Sequence, residues 1–75
     1  MIKNRNQELL DSFGSHLRKL RKHRGMSQEE LAYEADIPIS QVGRIERGEI
    51  NVTISTLYLI AKAMNMELKD LVNFR

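Results

Sequence analysis

The chain has 75 residues, enough for one domain with a thin core, and no cysteine, which excludes a disulfide framework and any thiolate metal site. No stretch approaches the ~18 consecutive apolar residues of a membrane span, and no apolar run near the N-terminus resembles a signal peptide, so a cytoplasmic or nucleoid-associated protein is expected. The formal net charge is only +2, but residues 1–25 hold seven Lys or Arg against Glu8 and Asp11, whereas residues 26–38 hold Glu29, Glu30, Glu34 and Asp36 and no base. Such asymmetry suits a binder that presents one basic surface.

A first helix is expected to start between Asn4 and Ser12. Leu10, Phe13, Leu17 and Leu20 recur at spacings of three and four and make its apolar stripe. Arg18, Lys19, Arg21, Lys22 and Arg24 fill the other faces, and cations in the last turn suit the negative end of the helix dipole. Gly25 supplies the left-handed residue that ends it. Pro38 and the glycines are the chain's punctuation and are expected at helix ends. Ser27 and Glu30 form a capping box that opens a second helix, with Leu31, Ala32 and Ala35 facing inward. Asp36 can take a left-handed turn, and Pro38 holds Ile37 extended.

The third helix begins at or beside Pro38, turns Val42 and Ile45 inward, and closes at Gly48. Residues 49–52 are a linker. Thr53, with Thr56 three residues on, caps a fourth helix whose expected apolar positions are Ile54, Leu57, Leu59, Ile60 and Met64. Asn65 ends it. A fifth, short helix from about Glu67 carries Leu68, Leu71 and Val72 on one side. The expected class is all-α, a single compact five-helix domain spanning residues 1–75.

The second and third helices meet a stricter set of demands. A DNA-reading pair crosses at roughly 90–120°. Ala32 supplies the small side chain at that crossing, Asp36 the positive φ, and Ile37 the plug after the turn. Val42 and Ile45 then face back while the residues between them face out. All of this occurs in one register.

The run from Gly25 to Gly48, above all Ser27-Gln28-Glu29-Glu30-Leu31-Ala32 and Ile45-Glu46-Arg47-Gly48, resembles the helix-turn-helix of the lambdoid Cro and repressor family, also called the XRE family. The likeness continues through Asn51–Met64 and covers roughly residues 13–72. Asp36 stands where that family usually has glycine, Ile50 where a basic residue is frequent, and Val52 where proline is frequent. The resemblance implies a lambda-repressor-like fold with residues 28–47 as the reader of double-stranded DNA. It puts Gln28 on a phosphate at the start of the second helix, where free N–H groups favour an anion. Ile39, Ser40, Gln41 and Arg44 would enter the major groove. There Arg44 can bond guanine bidentately or fall back on a phosphate, and Gln41 can pair with adenine. Ser40 can serve either base or backbone, and Ile39 can touch a thymine methyl. Arg47, Asn51 and Thr53 are further phosphate candidates. By the same resemblance Arg21 and Glu46 pair across the first and third helices and hold the reading helix at its angle.

Other chemistry finds no foothold. His16 and His23 lie seven apart, too far for one metal ion, and are expected to be solvated. Glu29, Glu30 and Glu34 occupy a polar helix face with no partner base or nucleophile, so no enzyme and no metal or other cofactor is expected. Met26, Met64 and Met66 are core filler. One reading helix spans too few base pairs to select a genomic site, so a homodimer on a palindromic operator is expected. Its candidate interface is the segment 65–75 with Leu68, Leu71 and Phe74, assisted by residues 1–10. The favoured function is transcriptional regulation, most simply repression. The alternatives are an antitoxin that binds a toxin protein and regulates its own operon, or a restriction–modification controller.

Overall fold

The structure, a computed structural model, describes residues 6–74; residues 1–5 and Arg75, which include part of the N-terminal segment expected to assist pairing, lie outside the described residues. Among the described residues the chain forms α1 (Gln7–His23), α2 (Gln28–Ala35), α3 (Ile39–Glu46), α4 (Ile54–Ala63) and α5 (Leu68–Leu71), with no strand. Asn6 starts α1 by accepting the Leu9 N–H at 3.0 Å. The helix stops where Gly25 takes a φ of +68°. Ser27 and Glu30 form the expected reciprocal cap on α2, and Asp36 follows that helix at φ 59°, ψ 45°. Thr53 caps α4 by accepting the Thr56 N–H, and Asn65 ends the α4 turn at φ 58°.

The core is built from every helix. Leu17 of α1, Leu31 of α2, Val42 and Ile45 of α3, Ile60 of α4 and Leu71 of α5 are fully buried, with Met64 beside them. Each such side chain contributes roughly 1.5–3 kcal/mol by leaving water. α3 rests against both α1 and α2, while α4 packs on α2 and α5. α3 is thus backed on two sides. Met26 and Met66 lie half-buried against this core, as flexible filler does.

Three expectations are corrected. Gly14 and Gly43 lie inside α1 and α3 rather than at helix ends, so neither terminates a helix, and Gly14 serves the packing of α1 on α3. In α4, Ile54 and Leu59 are 71% and 37% exposed, because the core grips only the second half of the helix, at Ile60, Ala61 and Met64. His16 is not solvated. Its ring stacks on Phe74 with centroids 5.4 Å apart and tilts against Phe13 at 6.4 Å, and its Nε2 is buried without a hydrogen-bond partner among the described residues.

Candidate nucleic-acid interface

The turn between α2 and α3 is set by backbone chemistry. With Asp36 left-handed, the Ile37 N–H reaches back to the Ala32 carbonyl at 3.0 Å, closing the last turn of α2. Ile37 is then driven against the core, and Pro38, at φ −62° and ψ 144°, starts α3 without a side-chain cap. Ala32 is buried where α2 meets its neighbours. Only a small side chain leaves α3 room to cross there.

Val42 and Ile45 are buried under α3, which fixes what its other side presents. Ser40 and Arg44 are exposed, Ile39 is 47% exposed, and Gln41 is half-buried beside them. These side chains form one outward face of mixed polarity. Its donors, acceptors and aliphatic carbon match what base edges in a major groove offer.

At the start of α2, the Ser27 hydroxyl takes the Glu30 N–H at 3.0 Å and the Glu30 carboxylate takes the Ser27 N–H at 2.7 Å. The N–H groups of the helix's first turn that this box does not use point along the axis at the positive end of the helix dipole. Gln28 stands there, half-buried, with its side-chain Nε2 donating to Glu46 Oε1 at 3.0 Å. One of its two amide N–H groups is therefore already engaged within the protein.

That carboxylate is the centre of a three-helix junction. Arg21 of α1 donates from Nε to Glu46 Oε2 at 2.6 Å and from Nη2 to Oε1 at 3.0 Å, a bidentate pair. Its Nη1 donates to the Met26 carbonyl at 2.8 Å, just ahead of α2. Both side chains are buried. Burial pushes the Glu46 carboxyl up. The hydrogen bonds from Arg21 and Gln28, with the charges of Arg21 and Arg18, outweigh it and hold Glu46 below the ordinary value. Arg21 is held above its ordinary value, first by the hydrogen bond to Glu46.

The remaining sites fall elsewhere. Arg47 is engaged by Glu49 in an exposed ion pair at 2.8 Å, a geometry that shares its charge before any phosphate does. Asn51 is exposed in the α3–α4 linker. The Thr53 hydroxyl is occupied at the α4 cap, accepting the Thr56 N–H at 3.2 Å and donating to Thr56 Oγ1 at 3.1 Å. Of the candidate pairing residues, Leu71 is fully buried in this chain's own core and has no surface to offer a second copy. Leu68 packs half-buried on the same core, and Phe74 folds back edge-on to Phe13 at 5.5 Å. Leu71 was a pairing candidate because α5 is too short for its buried face to be distinguished by periodicity; for Phe74 the sequence left open a cap on the chain's own core, which is where the ring lies.

Several contributors escaped the sequence reading. Gln7 Nε2 donates to the Gly48 carbonyl at 2.9 Å and to Asp11 Oδ1 at 2.8 Å, tying the start of α1 to the end of α3. Arg24, expected to serve its own helix end, donates from Nε to the Met64 carbonyl at 2.8 Å and caps α4 instead. Arg18 acts on the Glu46 carboxylate through its charge. Its position three residues before Arg21, on the adjoining turn of the same side, was the available signal.

Residues 17–71 match the family described as Helix-turn-helix, HTH_3. Over 63 residues the chain is 40% identical to the control protein C.BamHI of Bacillus amyloliquefaciens, covering 83% of this chain and 78% of that protein. It superposes on the restriction–modification controller protein C.AhdI of Aeromonas hydrophila with a TM-score of 0.82 and 38% identity, across 88% of this chain and 98% of that one. The controller C.Esp1396I, solved as a tetramer with its natural 35-base-pair operator, matches with a TM-score of 0.77 and 30% identity, across 89% of this chain and 97% of that one.

Proposed function

The chain belongs to the HTH_3 helix-turn-helix family, and from that premise we propose that it is a sequence-specific DNA-binding transcriptional regulator, within that class a restriction–modification controller. The observation that carries the reading is the outward face of α3, with Ile39, Ser40 and Arg44 exposed on a helix whose opposite side is buried by α1 and α2. The controller reading is favoured over the antitoxin one because the relatives include the control proteins C.BamHI and C.SmaI, at 40% and 34% identity, beside other helix-turn-helix regulators.

In this reading α3 lies in the major groove. Arg44 bonds guanine or a phosphate, Gln41 pairs with adenine, Ser40 serves base or backbone, and Ile39 meets a thymine methyl. Gln28 and the start of α2 hold a phosphate, and Asn51 follows the backbone further along. Arg47 contributes to the backbone only after parting from Glu49, and Thr53 contributes only as a neighbour of the α4 cap. The protein acts by binding, without a catalytic step or a cofactor, in the cytoplasm. None of the described helices is long and apolar enough to cross a membrane.

Two copies bind successive major grooves about 34–36 Å apart. Because Leu71 is core, the pairing surface moves to the apolar residues the fold leaves outside. Beside Leu9, Tyr33 and Ile39, which are exposed on other helices, these include Ile54, Tyr58 and Leu59 of α4, at 71%, 55% and 37% exposed, with Val72 at 42%. This α4 group is the one assigned to pairing. That the relative C.Esp1396I assembles as a tetramer on its operator supports multimeric binding.

The decisive experiment selects bound sequences from a random DNA pool and repeats the selection with Arg44→Ala and Gln28→Ala. Arg44→Ala relaxes preference at one base position, and Gln28→Ala weakens all sites alike. If neither substitution alters binding, the assignment of residues 28–47 is wrong.

A further inference from the structure

Glu46 sits within hydrogen-bonding distance of a side chain assigned to a DNA phosphate, an unexpected place for a carboxylate. The arrangement resolves this. Glu46 Oε1 accepts from both Arg21 Nη2 and Gln28 Nε2 at 3.0 Å, while Oε2 accepts Arg21 Nε at 2.6 Å. The bidentate guanidinium offsets the carboxylate's charge, and Arg18 adds a second cation nearby. What remains is a directional acceptor, buried and fixed by α1, facing the first residue of α2.

A primary amide has two dissimilar ends. Its oxygen only accepts and its nitrogen carries two hydrogens. A carboxylate can satisfy only the nitrogen end. A phosphate likewise requires the nitrogen end and is repelled by the oxygen. An unguided glutamine at a helix start would sample both orientations and many rotamers, and binding would have to order it.

We propose that Glu46 is a positioning residue for DNA. By accepting one N–H of Gln28 it turns the amide nitrogen toward the start of α2 and leaves the second N–H as the donor presented to a phosphate. This inference rests on the reading of Gln28 as a phosphate contact. It assigns the Arg21–Glu46 pair a recognition role besides holding α1 to α3. Arg21 positions Glu46, Glu46 positions Gln28, and Gln28 alone touches DNA.

Removing Glu46 alone would strand the buried Arg21, so the test replaces the pair together by Arg21→Met with Glu46→Leu, in the presence of Gln28 and with Gln28→Ala. Folding of all four proteins is checked by thermal unfolding, and affinity for the selected operator is measured at fixed salt. Gln28→Ala alone is expected to weaken binding about tenfold, as loss of a hydrogen bond to a charged group does. The paired replacement is expected to weaken binding about threefold to tenfold more when Gln28 is present than when it is alanine, the worth of one side chain ordered in advance.

An unchanged affinity in Gln28→Ala would overturn the phosphate reading itself. A normal Gln28→Ala loss, with the paired replacement costing the same factor in both backgrounds, would overturn the positioning role alone. A second measurement needs no variant that could fail to fold. In the nuclear magnetic resonance spectrum of the unaltered protein, one of the two Gln28 side-chain amide protons should lie downfield and move upfield as acid protonates Glu46. Two amide protons that stay at solvent-exposed shifts throughout would overturn the orientation.

Discussion

Gly14 in α1 lies so close to the last turn of α3 that a Cβ there would stand 2.5 Å from the carbonyl oxygen of Glu46 and 2.6 Å from that of Ile45. Both obstacles are backbone, so neither can swing aside. The contact fixes the distance between α1 and α3, and it does so beside the carboxylate that joins three helices.

In an isolated helix, Gly14→Ala would stabilise by roughly 1 kcal/mol through propensity. Here the overlap wins. The substitution is expected to lower unfolding free energy by about 1–3 kcal/mol, the usual cost of overpacking. DNA affinity should fall further than stability alone accounts for, because α3 must shift to admit the methyl group. Urea unfolding followed by circular dichroism checks the first part. A Gly14→Ala protein as stable as the parent would show that the two helices can part at no cost.

The Arg21–Glu46 pair predicts a specific pH dependence. Glu46 has its folded-state pKa lowered from 4.5 by its partners, against the opposing push of burial. The unfolded chain therefore binds a proton more readily than the folded one. The stabilisation is fully present above the ordinary carboxyl value and is lost as pH falls through the folded value. Urea midpoints should decline as pH drops below about 4.5, and Glu46→Gln should flatten that decline while lowering the plateau at neutral pH. Glu46→Ala at neutral pH is expected to cost about 3–5 kcal/mol by stranding Arg21, and Arg21→Met with Glu46→Leu far less. An equal cost for the single and paired replacements would show that the stranded charge is not what matters.

How much of this was legible depended on the range over which each residue acts. The capping box of Ser27 with Glu30, the left-handed Asp36 and the cap at Thr53 are local devices, and sequence spacing alone locates them. The inward stripe of α1 was legible for the same reason, although only Phe13 and Leu17 of its four residues are buried and only Leu17 completely so. Gly14 was not legible, because its need arises from another helix arriving at its surface. Arg24 and Gln7 are similar, since their acceptors lie 40 and 41 residues away. Leu71 could not be recognised as core because a four-residue helix gives periodicity too little length to separate inside from outside. That Ile39, Ser40 and Arg44 lie on the outward side of α3 was legible from the inward spacing of Val42 and Ile45. The grip on Gln28 was not, since it depends on Glu46 completing a junction closed only by the tertiary fold.

Moving the pairing surface from α5 to α4 makes two substitutions behave oppositely. Leu71 is fully buried in the single chain, so Leu71→Ala should cost about 2–5 kcal/mol through its cavity and unfold the monomer. Ile54 and Leu59 are partly in water already, so Ile54→Ser with Leu59→Ser should leave the monomer's stability within about 1 kcal/mol and shift sedimentation from dimer to monomer. Operator affinity should fall in proportion to the dimer lost. A doubly substituted protein that still sediments as a dimer would return the interface to another surface.

Asp36 offers the reverse kind of change, one that should strengthen the domain. It holds φ 59° with an L-side chain, a conformation that costs glycine nothing and costs other residues roughly 1–2 kcal/mol, aspartate being among the most tolerant. Its side chain is exposed. Asp36→Gly therefore relieves backbone strain, offset in part by the greater freedom glycine gives the unfolded chain. The net expectation is a gain of about 0.5 kcal/mol, read as a higher urea midpoint with an unchanged slope. Asp36→Val should lose about 1 kcal/mol or more, because a β-branched side chain tolerates this region worst. The two variants bracket the natural residue, so the order Gly above Asp above Val is the test. A midpoint that falls with glycine would mean that the Asp36 side chain contributes a stabilising interaction of its own at the turn, one larger than the strain it imposes.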